Sequence, residues 1–239
     1  MTPSALEQFR RDGFMVVPGH VTLTERSRFL YAFTGLKCAL DGRDNGELYD
    51  AAWLLPEFLR IVGKPDTAAN ACTLLGLPKG APLYAYNARL LIQPPGDDSH
   101  CWDWHQEVFH SVPETRCVQT WAPLIVDATE ENGAIEVLPG SHKEGIARQR
   151  WTDDRIGYAL VDPSVVAKYT PLALPMPVGS MLFFDSRLVH RSGRNRSGDT
   201  RYAAVSVYTD VMGKFRAPKP AFEFRGKSPR AWLGEQRWA

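Results

Sequence analysis

The stretch DWHQEVF, residues 103–109, sets His105 and Glu107 two positions apart among aromatic and apolar neighbours. In an extended strand, residues i and i+2 project from the same face, so an imidazole and a carboxylate at this spacing can reach one point together. Such a pair can chelate a divalent metal, form a buried ion pair or lie on a solvent face, and the pair alone does not choose among them. A chelate needs a third partner. Six histidines are available, at positions 20, 100, 105, 110, 142 and 190. Two histidines and one carboxylate on one face of an octahedron hold ferrous iron and leave three positions open for a bidentate cosubstrate and dioxygen. His190 suits the third place, because PVGSMLFFDSRLVH reads as a turn followed by an apolar strand with one imidazole at its end. A shared ion with bonds of about 2.1 Å limits any two ligand atoms to about twice that separation. Arg201 opens a further apolar strand, where a guanidinium is costly unless it meets a carboxylate. An external dicarboxylate would supply that partner.

These side chains need a scaffold, and the sequence around them changes texture near Pro82. Before it, Pro3 and Ser4 open a short amphipathic helix with Leu6 and Phe9 on one face, which Gly13 ends ahead of the apolar run FMVVPG. Residues 22–40 carry apolar side chains at helical spacing with Thr24 as the predicted N-cap; AAWLLPEFLRIVG and TAANACTLLGL follow as shorter helices. After Pro82, the segments LYAYNARLLIQP, RCVQTWAPLIVDA, AIEVLP, SMLFFDSRLVH and RYAAVSVYTD are rich in β-branched and aromatic residues and bounded by Gly, Pro, Asn and Asp. A helical block followed by many short strands predicts an α+β chain whose second part is a sandwich or barrel. Asn132-Gly133, between two apolar runs, predicts a tight hairpin.

The 239 residues, 44% apolar and 23% charged, are enough to bury a sizeable core, and a single domain over 1–239 is expected, mostly helical over 1–80, with a core over 82–210 and an extension over 211–239. Lys and Arg number 28 against 27 for Asp and Glu, which gives no electrostatic footprint for nucleic acid or an anionic membrane and favours a small-molecule partner. Cys38, Cys72, Cys101 and Cys117 show no C-x-x-C spacing, which argues against a zinc ribbon or redox pair and fits a reduced cytoplasm. No run of 18 apolar residues is present, and the N-terminus lacks the pattern of a secretory signal.

WHQE at 104–107, TWAPLIVDATEENGAIEVLPGSHK at 120–143, the series His190-x-Ser-x-x-Asn-x-Ser-x-x-x-Arg201 and the opening LEQFRRDGFMVVPG together resemble the phytanoyl-CoA dioxygenase family of iron(II)- and 2-oxoglutarate-dependent oxygenases. The resemblance runs over nearly the whole chain. It implies a double-stranded β-helix, or jelly-roll, with N-terminal and peripheral helices. It further implies that His105, Glu107 and His190 bind iron, that Arg201 and Ser192 grip the distal carboxylate of 2-oxoglutarate, and that dioxygen is the second cosubstrate. The implied activity is hydroxylation of a C–H bond with release of succinate and carbon dioxide. This chain has Glu107 where the family usually has Asp, one methylene more to accommodate. The kept carboxylate argues against a halogenase, which needs a small non-ligating residue there. Two rivals are a catalytically silent jelly-roll that binds or senses a ligand, against which the retention of all four residues argues, and a cupin-like isomerase, whose H-x-H motif is missing.

Other polar residues have weaker cases. Asn87, Arg89, Leu91 and Gln93 share one predicted strand face, from which Asn87 and Arg89 could reach 2-oxoglutarate or substrate or simply pack. Trp121 is read as core rather than pocket wall, His142 as fixing its loop, and His110 as facing away from His105. Asp185 and Arg187 could bond to each other or touch substrate. Arg89 and the basic stretch Lys214, Arg216, Lys219, Arg225, Lys227 and Arg230 would favour an anionic substrate, if they line the pocket and not the solvent. The substrate itself is not readable.

Overall fold

A computed structural model describes residues 2–39, 55–98, 101–107, 116–151 and 159–210. The chain opens with α1 (Pro3–Asp12), where Thr2 Oγ1 accepts from the Ala5 N–H and Gly13, at φ 88°, ends the helix as predicted. Then come β1 (Phe14–Val17), α2 (Leu23–Ala39), α3 (Pro56–Val62) and α4 (Pro65–Leu75). The cap of α2 is Thr22, not Thr24. Its Oγ1 accepts from the Glu25 N–H, while Glu25 Oε2 accepts from the Thr22 N–H at 2.8 Å, a reciprocal capping box.

The β-rich part contains β2 (Leu83–Gln93), β3 (Cys117–Pro123), β4 (Glu136–Val137), a 3-10 turn at Ser141–Glu144, β5 (Gln149–Trp151) and β6 (Ala159–Val161). It continues through α5 (Pro163–Val166), β7 (Leu172–Ala173), β8 (Met181–Asp185), β9 (His190–Arg191) and β10 (Arg201–Asp210). Strands β1-β8-β3-β10-β2 make an antiparallel five-stranded sheet, and β7-β4-β9 make the facing three-stranded sheet. This is the jelly-roll of an α+β fold.

Alternation along the larger sheet divides the core in two. Met15, Leu90, Ile92, Val118, Phe183, Ala204 and Tyr208 pack outward against Phe29, Phe58, Ile61 and Leu74 of the helices. Trp121, Leu182, Phe184, Ala203 and Val205 turn inward to meet Val137, Leu174, Met176 and Leu188 from the side of the smaller sheet. Every polar side chain that the large sheet contributes to the site follows the inward phase. A register shift between Val205 and Val207 gives β2 one extra residue between Tyr86 and Arg89.

Two local predictions need correction. Asn132-Gly133 is not a two-residue hairpin. It lies in a wider turn closed by the Ala134 N–H to Thr129 O bond at 2.8 Å, and the flanking Ala128 and Glu136 pair with Met176 and Ala173 instead of with each other. Gly133 is needed there, at φ 85°, because a Cβ would stand 2.4 Å from the carbonyl oxygen of Gly193. His190 does not end the apolar strand. β8 stops at Asp185, the chain turns, and His190 begins β9 in the opposite sheet.

Candidate metal centre and anion pocket

Residues 103–107 do not form a regular strand. His105 makes an isolated antiparallel bridge with His190, its N–H donating to His190 O at 2.9 Å and its carbonyl accepting from the His190 N–H at 3.0 Å, and the Glu107 N–H donates to Ser186 O at 2.9 Å. The anchor between them is Gln106, fully buried. Its Nε2 donates to the carbonyls of Gly145 and Arg187, and its Oε1 accepts from the Ala147 N–H at 2.9 Å. The i, i+2 relation predicted from a strand is thus kept by one bridge and a clamped glutamine.

The two imidazoles stand with ring centroids 4.2 Å apart. Nδ1 of His105 lies 2.7 Å from Asp103 O, and Nδ1 of His190 lies 2.9 Å from Leu188 O. A carbonyl can only accept, so each Nδ1 carries the proton and each Nε2 carries the lone pair. Burial pushes the His105 pKa below the usual histidine range, and burial, then the neighbouring His105, pushes that of His190 well below it. Both rings are therefore neutral donors near pH 7. The ligand atoms of His105, Glu107 and His190, all buried, lie within 4.8 Å of one another, little more than about half an ångström beyond the widest span that bonds of about 2.1 Å permit. To share an ion through bonds of that length, the widest-set of the three side chains would have to draw slightly inward. Two neutral nitrogens and one carboxylate suit a divalent metal, and iron(II) in particular where open positions remain.

Arg201 is the other side chain that the sequence singled out. It is 2% exposed, and burial brings its pKa down to about 10, so it stays protonated at neutral pH. Its Nε donates to Asn132 O at 3.2 Å, one Nη donates to Gln93 Oε1, and the guanidinium lies 5.2 Å from the Trp121 ring centroid. Among the described residues no carboxylate meets it, and Nη1 is buried with no hydrogen-bond partner. A buried cation with one orphaned donor has room in its hydrogen bonding for an incoming carboxylate.

His105, Glu107 and His190 line a pocket with Arg89, Gln119, Trp121 and Ser192, with Leu91, Ile135, Phe184 and Val205 as its apolar wall, and Arg201 is linked to it through Trp121. Trp121, read from sequence as core, belongs to both. Arg89 lies in this pocket with Nη2 3.9 Å from Glu107 Oε1. Ser192 lies in the wall, its N–H donating to Trp102 O at 3.0 Å. The Asn87 side chain, His100, His110 and the basic residues after position 210 fall outside the described residues. Asp185 and Arg187 bond to each other through two contacts of 2.9 and 2.7 Å. His142 Nε2 lies 3.3 Å from Arg10 O, which ties its turn to α1. Gln93 and Asn132 were missed as partners of Arg201, although Gln93 stands directly opposite it in register. A cavity of about 730 Å³ on the outer side of the smaller sheet meets this pocket at Trp102, Arg191 and Ser192, and its charges are largely paired, as in Arg191–Glu136 at 2.8 Å and Arg194–Asp98 at 3.3 Å.

The family profile for phytanoyl-CoA dioxygenase (PhyH) matches residues 9–203. An ectoine dioxygenase of Stutzerimonas stutzeri is 26% identical over 91% of this chain and 82% of its own length. An L-proline trans-4-hydroxylase of Streptomyces griseoviridis is 26% identical over 68% of this chain and 67% of its own. Among solved structures, EctD from S. alaskensis with bound Fe shares the fold with a TM-score of 0.71 at 21% identity, covering 91% of this chain and 80% of that one.

Proposed function

The chain belongs to the phytanoyl-CoA dioxygenase family, and from that membership we propose that His105, Glu107 and His190 hold its iron while Arg201 grips the distal carboxylate of 2-oxoglutarate. The protein is an iron(II)- and 2-oxoglutarate-dependent dioxygenase, with dioxygen as the second cosubstrate, which sets aside the silent binding module and the isomerase. Iron(II), when bound, supplies the reduced metal at which dioxygen is activated and the oxidative decarboxylation of 2-oxoglutarate is coupled to oxidation of a C–H bond.

The protein's own residues bind and orient. Neutral His105 and His190 offer Nε2 lone pairs, and Glu107 contributes the one formal negative charge of the ligand set. Arg201 has its Nε and one Nη already engaged and one Nη donor in hand, so a carboxylate arriving there gains a charge-assisted bond without reorganising the guanidinium. The arginine is thus preorganised for one end of a dicarboxylate. Trp121 supports the guanidinium from one side, and Leu91, Ile135, Phe184 and Val205 limit water in the pocket.

The substrate is a small molecule, hydroxylated at a C–H bond in the overall exchange R–H + O₂ + 2-oxoglutarate → R–OH + succinate + CO₂. It carries an anionic group, a reading supported by Arg89 in the pocket wall and by a relative named for an amino acid, L-proline. The observation that carries the proposal is the buried Arg201 with its unpaired Nη1, set against Trp121, which lines the same pocket as the two histidines and the glutamate. The test is succinate release from 2-oxoglutarate with iron(II), stimulated by a panel of acidic, neutral and cationic compounds at low and high salt. Stimulation by acidic compounds that fades with salt is expected. Best stimulation by neutral or cationic compounds, indifferent to salt, would remove the anionic substrate, and no iron-dependent succinate at all would remove the site assignment.

A further inference from the structure

Gln119 sits on β3 at an inward position, 6% exposed, two residues from Trp121 and opposite Phe184 of β8. An amide buried among such neighbours costs free energy unless both its donor and its acceptor are met. Among the described residues its Nε2 donates to Glu107 Oε2 at 3.5 Å, and its Oε1 has no hydrogen-bond partner. An amide placed to stabilise the core would engage both ends; this one engages only the end that touches the acid. Because a carboxylate accepts and does not donate, the NH₂ and not the carbonyl must face Glu107.

Glu107 needs such a hold. It stands in a turn and not on a strand, its side chain has three torsions to fix, and its other oxygen lies 3.9 Å from Arg89. Gln119, by contrast, is carried by a strand hydrogen-bonded on both sides, to β8 and β10. We propose that Gln119 is a positioning residue for the metal ligand Glu107: its amide donor confines the long acid to the conformation presented to the two imidazoles, so that Glu107 and Gln119 work as a matched pair. The inference rests on the reading of Glu107 as a metal ligand. Hydrogen-bond partners of metal ligands typically govern 10–100-fold of metal affinity.

The test is Mn(II) titration of the full chain, followed by calorimetry and by the electron paramagnetic resonance of the free ion, with no cosubstrate and no turnover. Gln119→Met keeps the length of the side chain and removes the donor. It should weaken Mn(II) binding about tenfold or more in the chain with Glu107, and less than about threefold in the Glu107→Asp background, where the shortened acid no longer meets the amide. Glu107→Asp alone, with Gln119 intact, should also bind more weakly than wild type, a measurement that does not require the Gln119 variant to fold. An unchanged affinity in Gln119→Met, an equal loss in both backgrounds, or a Glu107→Asp chain that binds Mn(II) as tightly as wild type would overturn the pair. His105→Ala and His190→Ala should abolish binding. If wild type takes up no Mn(II), or these histidine variants bind normally, the metal reading fails and the pair with it; normal binding with an indifferent Gln119 removes only the pair.

Discussion

Arg201 keeps its charge while 2% exposed and, among the described residues, without an acid beside it, an arrangement that costs the folded protein free energy that an incoming carboxylate would offset. Lysine at this position would retain a charge but lose the planar fork and the geometry set by Gln93 and Asn132. Arg201→Lys should therefore raise the apparent KM for 2-oxoglutarate about tenfold or more while Mn(II) affinity is unchanged. An unaltered KM would remove Arg201 from the cosubstrate site. Glu107 gives the complementary expectation. Glu107→Ala deletes the proposed carboxylate ligand and its negative charge, so coupled turnover, counted as product formed per succinate, should fall on the order of 100-fold or more. Glu107→Asp should recover part of it, since the carboxylate remains even where the bond to Gln119 does not. Wild-type coupling in Glu107→Ala would reject the residue as a ligand.

At the scale of elements, the loop before β4 matters more for the site than its length suggests. Asn132 Oδ1 accepts from the Thr129 N–H at 2.8 Å, its Nδ2 donates to Asp127 O at 2.7 Å, and its own carbonyl accepts from Arg201 Nε. Asn132→Ala removes both side-chain bonds and leaves a part-buried backbone carbonyl and N–H unsatisfied. A loss of about 1–3 kcal/mol is expected, read as a lower urea midpoint at constant slope, with a several-fold rise in the 2-oxoglutarate KM through the displaced carbonyl. A variant with wild-type stability and KM would show that the turn holds without the amide. The same loop marks where the sequence stopped being legible. β2, β10 and α1 appear where period-two alternation, β-branched runs and terminal signals place them, because those signals are local to each segment. Pairing partners are not local: Asn132-Gly133 reads as a hairpin until Ala128 and Glu136 are seen bound to Met176 and Ala173. The site shows the same division. His105, Glu107, His190 and Arg201 were visible as residue types in a spacing, whereas Gln93, Asn132, Gln106 and Gln119 act through register and burial that no single segment encodes.

Across the whole molecule, the cluster draws on both sheets, Glu107 and His105 tied to the β8–β9 turn and to β9 of the smaller sheet, Arg201 and Gln119 carried by the larger one. The apolar layer between the sheets fixes their separation, and helices α2 to α4 brace the larger sheet from outside. Ligands that bridge the two sheets should therefore stabilise the folded chain as a unit. Binding to the native state alone contributes RT ln(1 + [L]/Kd), about 2.7 kcal/mol at 100 times Kd, which for a chain of this size corresponds to a melting shift of roughly 5–10 °C. Mn(II) together with 2-oxoglutarate, each at that excess, should produce a shift at least this large. A chelator should reverse it, and in Arg201→Lys the shift from adding 2-oxoglutarate should shrink while that from Mn(II) alone persists. The metal and the arginine thereby become separable in one calorimetric or fluorescence melt. A chain whose melting temperature ignores both ligands at that excess would mean that neither binds the native state in preference to the unfolded chain, and would remove both assignments.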